Sequence, residues 1–203
     1  MRDDVLRQRK LLHRPWHGPP HFTGQQTSQY LITGTCYEHA PIIGASMERM
    51  DDFVMQLQQA FEALGAVVHA WCVLPNHYHV LTTTLDLPSL ISRLGKLHGR
   101  MSFAWNRDDD AHGRTCWHRL TDRAMRSESH FWTSVNYIHH NAVKHGHAFQ
   151  WTEWPWSSAH DYLREKGREA AAKRKAPSSM GLRPCKPVLM TTKFKPHSTD
   201  RKS

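Results

Sequence analysis

A chain of 203 residues has the length of one ordinary domain and can bury a substantial core. Hydrophobic residues make up 39% of it, with eight Trp, which argues against wholesale disorder, and no apolar run approaches the roughly 20 residues that span a bilayer. The formal net charge of +9, with a pI near 9.7 and 17 His in reserve below neutrality, favours a polyanionic partner: nucleic acid before membrane.

The N-terminal stretch "MRDDVLRQRKLLHRPWHGPPH" is charged and lacks the apolar segment of a secretory signal, so residues 1–27 read as a basic extension. Cys36, Cys72, Cys116 and Cys185 are scattered without a C-x-x-C pair, which fits neither a disulfide framework nor a zinc ribbon and points to a reduced, cytoplasmic protein. Strand-forming residues dominate 29–39, "QYLITGTCYEH". Ser46 can cap a helix carrying Met50, Val54, Leu57, Phe61 and Leu64 at helical spacing, with Gly65 as its stop. Residues 66–74 form a second strand, Pro75-Asn76 a turn, and 77–84 a third strand antiparallel to the second. A second helix spans 87–105, admitting Pro88 in its first turn and burying Leu90, Leu94, Leu97, Met101 and Ala104. A fourth strand over 115–122 and a third helix over 128–144 follow. From 164 onward the chain is a basic tail with little apolar periodicity; such a tail can hold nucleic acid loosely or keep the protein soluble.

The order β-α-β-β-α-β-α is the split βαβ, ferredoxin-like α+β arrangement with an added helix. Strand order 4-1-3-2 places both long helices on one face of a four-stranded antiparallel sheet and leaves the other face to meet a ligand or the further helix. One domain over 28–163, plus extensions, accounts for the chain.

The third strand opens with "HYH". Alternation puts His77 and His79 on one face and Tyr78 on the other, presenting two ring nitrogens to one point as a metal or a phosphate requires. The plain alternative is a chance pair in a His-rich chain, since "HGH" recurs at 145–147. On the third helix Phe131, Val135, Ile138 and Ala142 form an apolar stripe. His130, Ser134, Tyr137 and Asn141 form the adjoining one, on which Tyr137 and Asn141 lie one turn apart. A tyrosine beside an apolar stripe also suits simple packing, with its hydroxyl at the surface.

Four blocks, "LPNHYHVL", "LGKLHGRMSFAWN", "CWHRLTDRAMRSESHFWTSVNYIHHNAVKHG" and "WTEWPWSSAHDYL", occur in order across 28–163. Together they resemble the REP-associated tyrosine transposases, within the wider group of single-tyrosine transposases that carry a His-hydrophobic-His motif. The resemblance implies a ferredoxin-like domain, in agreement with the element order. It further implies that His77 and His79 bind a divalent cation, Mg²⁺ or Mn²⁺, that Tyr137 is the nucleophile, and that Asn141 is a third, amide-bearing metal ligand. Two imidazoles and an amide carry no charge, so the cation would keep its full Lewis acidity; they suit Mn²⁺ better than Mg²⁺. A phenol with an intrinsic pKa near 10 needs such activation to attack at neutral pH. The family reads Asn-Pro where this chain has Asn141-Ala142, and Ala is expected to extend the helix that Pro would disturb.

Single-stranded or hairpin DNA is the partner implied. On the second helix Arg93, Lys96 and Arg100 share the flank away from the leucines, a solvated face or a phosphate-binding one. Gly95 and Gly99 between them, each costing about 1 kcal/mol of helix propensity, permit close approach of nucleic acid or close helix-sheet packing. Arg119, Arg123 and Arg126 add basicity around the fourth strand, and Trp154 and Trp156 read as anchors for an extension or, secondarily, as base-stacking platforms. Three functions fit: a single-strand DNA transposase working through a 5′-phosphotyrosine, a non-catalytic hairpin-DNA binder, and a metal-dependent phosphodiesterase on the same scaffold. Monomer and homodimer are both compatible with the sequence.

Overall fold

A computed structural model describes residues 29–165. The extension expected over 1–27, and the tail expected from 164 except for its first two residues, lie outside the described residues. The elements run β1 (Gln29–Thr35), α1 (Met47–Glu62), β2 (Val67–Leu74), β3 (His77–Thr83), α2 (Leu87–Asp108), β4 (Thr121–Ala124), α3 (Glu128–His139) and α4 (Asn141–Lys144), with two short 3₁₀ turns between β1 and α1. The four strands form one antiparallel sheet in the order β2-β3-β1-β4, the α+β arrangement expected from the sequence.

Each long helix starts where its cap chemistry says it should. The hydroxyl of Ser46 accepts from the Arg49 amide, the carboxylate of Asp86 from Ser89, and the hydroxyl of Ser127 from His130, satisfying amide donors that have no partner within the helix. Gly65, at φ 61°, closes the turn after α1 in the left-handed region.

Alternation along the strands builds two cores, one on each face. Ile32, Trp71, Val73, Tyr78 and Val80 join Phe53, Leu57 and Phe61 of α1 and Leu90, Leu94 and Leu97 of α2. Ala70, Cys72, Leu74 and Leu81 meet Val135, Ile138 and Ala142 on the opposite face, so α3 and α4 cover what α1 and α2 leave open. Residues 154–158 shield the β2 edge: the Val73 amide donates to the Trp156 carbonyl at 2.8 Å and Ser158 N–H to the Trp71 carbonyl at 3.0 Å. Trp154 Nε1 donates to the Val73 carbonyl and Trp156 Nε1 to Asp51 on α1, both at 2.8 Å. The two indoles therefore anchor an extension, and Trp156 is too buried to stack on a base.

Four local expectations are corrected. β1 ends at Thr35, and residues 37–39 make a 3₁₀ turn with Glu38 and His39 at positive φ. β4 begins at Thr121 instead of 115. Residues 115–120 touch β1 through a single bridge, Cys36 to Trp117, because the Trp117 ring turns into the core to stack on His98, with centroids 3.8 Å apart. The third helix breaks at His140 (φ −88°, ψ 3°), so Ala142 does not extend it unbroken. A Cβ built on Gly95 or Gly99 would meet nothing within 4 Å, so neither glycine serves close helix-sheet packing.

Two glycines leave no room for a Cβ: Gly44, against Pro75, and Gly34. Gly34 pairs with Tyr78 across β1 and β3, and a Cβ there would fall 2.6 Å from Tyr78 Cζ and 2.9 Å from its hydroxyl oxygen. Tyr78 is fully buried and tied to His98 Nε2 at 3.0 Å, so its ring cannot retreat. Gly34→Ala is expected to lower unfolding free energy by about 2 kcal/mol or more, read from urea denaturation. Burial also holds His98 and His139 down to a pKa of about 4. Both sit below the unfolded value near 6.5, so their contribution is complete above that pH and is lost as pH falls toward 4. Urea midpoints at pH 7.5 and pH 5 should differ in that direction, by about 1–2 kcal/mol for each of the two.

Candidate active site

The register of β1 and β3 places Thr35 beside His77 and Thr33 beside His79, with both imidazoles on the face covered by α3. Both are buried, at 7% exposure, and their rings meet edge to face with centroids 5.1 Å apart. The Pro75-Asn76 turn is braced from outside the hairpin, Cys36 N–H donating to the Asn76 carbonyl and Gly44 N–H to that of Pro75. The histidine strand therefore starts from a fixed point.

Hydrogen bonds fix where the protons sit. The Asn76 side-chain nitrogen donates to the His39 carbonyl at 3.1 Å, which turns its oxygen toward His77 Nδ1 at 2.7 Å. That oxygen only accepts, so His77 carries its proton on Nδ1 and leaves a lone pair on Nε2. Burial, helped by nearby His145, His39 and His147, pushes the His77 pKa down to about 4 against the raising effect of Asn141, so the ring is neutral at pH 7. His79 is pushed further, to about 3, first by burial and then by His77, His145 and Lys144. Its Nδ1 lies 2.8 Å from the Thr33 hydroxyl, which can accept the Nδ1 proton and free Nε2 as well.

Both Nε2 atoms face the helix that carries the tyrosine. Tyr137 Oη is 3.5 Å from His79 Nε2, and Asn141 Oδ1 is 3.0 Å from His77 Nε2. The expected quartet therefore meets in space: His77, His79, Tyr137 and Asn141. Asn141 is wholly buried, and among the described residues its side-chain nitrogen has no partner. Its oxygen and the His77 nitrogen are two acceptors facing each other. Turning the amide over would satisfy the nitrogen and orphan the oxygen, so one end of a buried amide stays unpaired, at about 1–3 kcal/mol. A divalent cation held by His77 Nε2, His79 Nε2 and Asn141 Oδ1 would resolve that conflict, and the neutral N,N,O donor set suits one. Among the described residues no group of three His, Cys, Asp or Glu is placed to hold a metal, so a cation bound here would take the amide as its third protein ligand.

The arginines and the lysine fall on different surfaces. Arg123 pairs with Leu31 and points to the same sheet face as His79, exposed on the β4 edge strand; exposed Arg119 and Arg126 flank that strand. Arg93, Lys96 and Arg100 are exposed on α2, in the helix layer on the other side of the sheet, and are not brought to the histidines. Thr33, Asn76, His145 and Lys144 escaped the sequence reading. His145 stacks edge to face on His77 at 5.0 Å, and the Lys144 ammonium lies over the Tyr137 ring, 5.0 Å from its centroid. Lys144 continues the Tyr137–Asn141 spacing by three, a signal that was available; Thr33 had none.

Comparison with known proteins bears on the fold and on part of the sequence. No family model matches the chain. A REP-associated tyrosine transposase of Escherichia coli (strain K12) is 30% identical over 95 residues, 46% of this chain and 54% of the relative, so the match spans about half the relative's length. A solved structure of a REP-associated tyrosine transposase bound to a REP hairpin superposes with a TM-score of 0.56 at 17% identity, over 85% of this chain and 99% of that one, a likeness of fold. No helix among the described residues is long and apolar enough to cross a membrane. Over part of its length the chain is similar in sequence to one REP-associated tyrosine transposase, and over most of it shares the fold of another.

Proposed function

We propose that this protein is a metal-dependent transposase that cuts and rejoins single-stranded DNA at hairpin-forming repeats, with Tyr137 as nucleophile. The observation that carries the reading is the half-exposed Tyr137 hydroxyl, 3.5 Å from His79 Nε2 and beside the His77–Asn141 pair. A hydrolytic phosphodiesterase would need no such phenol.

The chemistry is a transesterification. Tyr137 Oη forms a bond to phosphorus as the bond from phosphorus to the 3′-oxygen breaks; the phenol proton leaves to solvent and the 3′-oxygen takes one up. The products are a 5′-phosphotyrosine and a free 3′-hydroxyl, and rejoining reverses the step without ATP. A divalent cation, Mg²⁺ or Mn²⁺, bound to His77, His79 and Asn141 would polarise the scissile phosphate. The protein's share is positional. Thr33 and Asn76 hold the Nδ1 protons so that both Nε2 lone pairs point inward, and α3 sets the phenol over His79.

DNA contact follows from the two basic surfaces. Arg119, Arg123 and Arg126 line the β4 edge and suit the strand being cut. Arg93, Lys96 and Arg100 offer phosphate contacts on the outer side of α2, where Gly95 and Gly99 leave the helix backbone uncovered. The structural neighbour carries a hairpin, and a folded-back DNA is long enough to reach more than one surface.

Incubation with Mn²⁺ and end-labelled hairpin oligonucleotides should give a covalent protein–DNA adduct on denaturing gels, absent from Tyr137→Phe and abolished by chelator. Cutting that survives the Phe substitution would mean hydrolysis, and binding without an adduct in the unaltered protein would mean a DNA-binding role alone. A second expectation concerns Thr33. Thr33→Val keeps the side-chain shape but removes the partner of His79 Nδ1, and Mn²⁺ affinity followed by electron paramagnetic resonance should fall roughly 10- to 100-fold.

A further inference from the structure

We infer that Lys144 is the residue that grips the phosphate presented to Tyr137, its ammonium passing from the tyrosine ring to a non-bridging phosphate oxygen when DNA binds; this rests on the reading of Tyr137 as the nucleophile. Tyr137, Asn141 and Lys144 follow one another at spacings of four and three, Tyr137 on α3 and the other two on α4 just past the break at His140, so consecutive turns carry the phenol, the amide and the ammonium. The ammonium rests 5.0 Å from the phenol ring centroid. That contact is a holding position: a cation over an exposed tyrosine gains less than one in a charge-assisted bond to a phosphate oxygen.

Three further observations support the assignment. Among the described residues Lys144 forms no ion pair with a carboxylate, so its charge is not committed elsewhere. It is exposed, whereas His77, His79 and Asn141 are buried, so it reaches a phosphate from the solvent side while those three approach from the sheet. Of the basic side chains on the helices, Lys144 is the one held against the tyrosine; Arg93, Lys96 and Arg100 stand on the opposite layer.

The test uses the full chain in a Tyr137→Phe background, which keeps the ring beneath the ammonium and prevents turnover. Affinity for a single-stranded hairpin oligonucleotide is measured against salt, with Lys144 intact, Lys144→Met and Lys144→Arg. The expected result is a loss of about tenfold for Met, largely restored by Arg, with the slope of log affinity against log salt falling by about 0.7. Lys144 side-chain resonances, shifted by the ring in the free protein, should move on adding DNA. Unchanged affinity in Lys144→Met, or resonances that stay put while DNA binds, overturns the assignment even where the unaltered protein forms its tyrosine adduct. Absence of DNA binding overturns it too. Absence of the adduct alone, with the Lys144 effects present, removes the nucleophile reading and leaves the phosphate grip standing.

Discussion

The pairing of β1 with β3 is the constraint on which the site depends. One register sets Thr35 beside His77, Gly34 beside Tyr78 and Thr33 beside His79. Because side chains alternate, a slip of one residue would carry both imidazoles into the α1–α2 core and Tyr78 onto the tyrosine-helix face. What forbids the slip lies on the far side of the sheet. Tyr78 occupies the space left by the missing Cβ of Gly34, bonds His98 on α2, and packs at a tilt on Phe53 and edge to face on Trp117. A wholly structural tyrosine thereby sets the alignment of the two histidines that flank it.

The site itself opposes folding. Two imidazoles are stripped of water and held neutral, two lone pairs confront each other across 3.0 Å, and a buried amide keeps one unpaired end. Apolar packing on both faces has to offset this, and it does so with side chains such as Phe53, Phe61, Leu94 and Ile138, each worth about 1.5–3 kcal/mol when buried. Three polar side chains in unresolved conflict at one point of a well-packed frame are the pattern of a ligand site.

How much of this was legible follows from which signals are local. The element order, the cap at Ser46 and both helical stripes depend on spacings within a few residues, and the sequence carries them openly. His77 with His79 and Tyr137 with Asn141 are pairs of the same kind, so each half of the site could be found; that the halves meet is a tertiary fact, and the family resemblance supplied it in advance. Thr33 is 46 residues from His79 and becomes its neighbour only through the register. β4 was misplaced because "TCWHRL" has the composition of a strand, while Trp117 is drawn into the core before the ladder begins. Gly95 and Gly99 mislead for the opposite reason, since glycine in a helix invites a packing explanation and these two face open space.

The break at His140 explains a contrast that helical spacing alone does not. Tyr137 and Asn141 share a stripe, yet Tyr137 is 37% exposed and Asn141 fully buried. The proposed roles need that contrast, since a nucleophile must be reachable by DNA and an amide ligand withdrawn beside the imidazole; an unbroken helix would present both at similar depth. Flattening the backbone at the residue between them lets α4 dip toward β2 and β3 while α3 keeps the phenol at the surface. The break is braced from outside: His139 bonds the Ser158 hydroxyl at 3.0 Å, and the rings of His139 and His140 both stack near Trp151. Ser158 belongs to the same segment that covers the β2 edge, where its hydroxyl also accepts from the Trp71 amide. The extension after the tyrosine helix thus protects a sheet edge and braces the relative depth of Tyr137 and Asn141, so that changes at Trp151 or Ser158 reach the site without touching it.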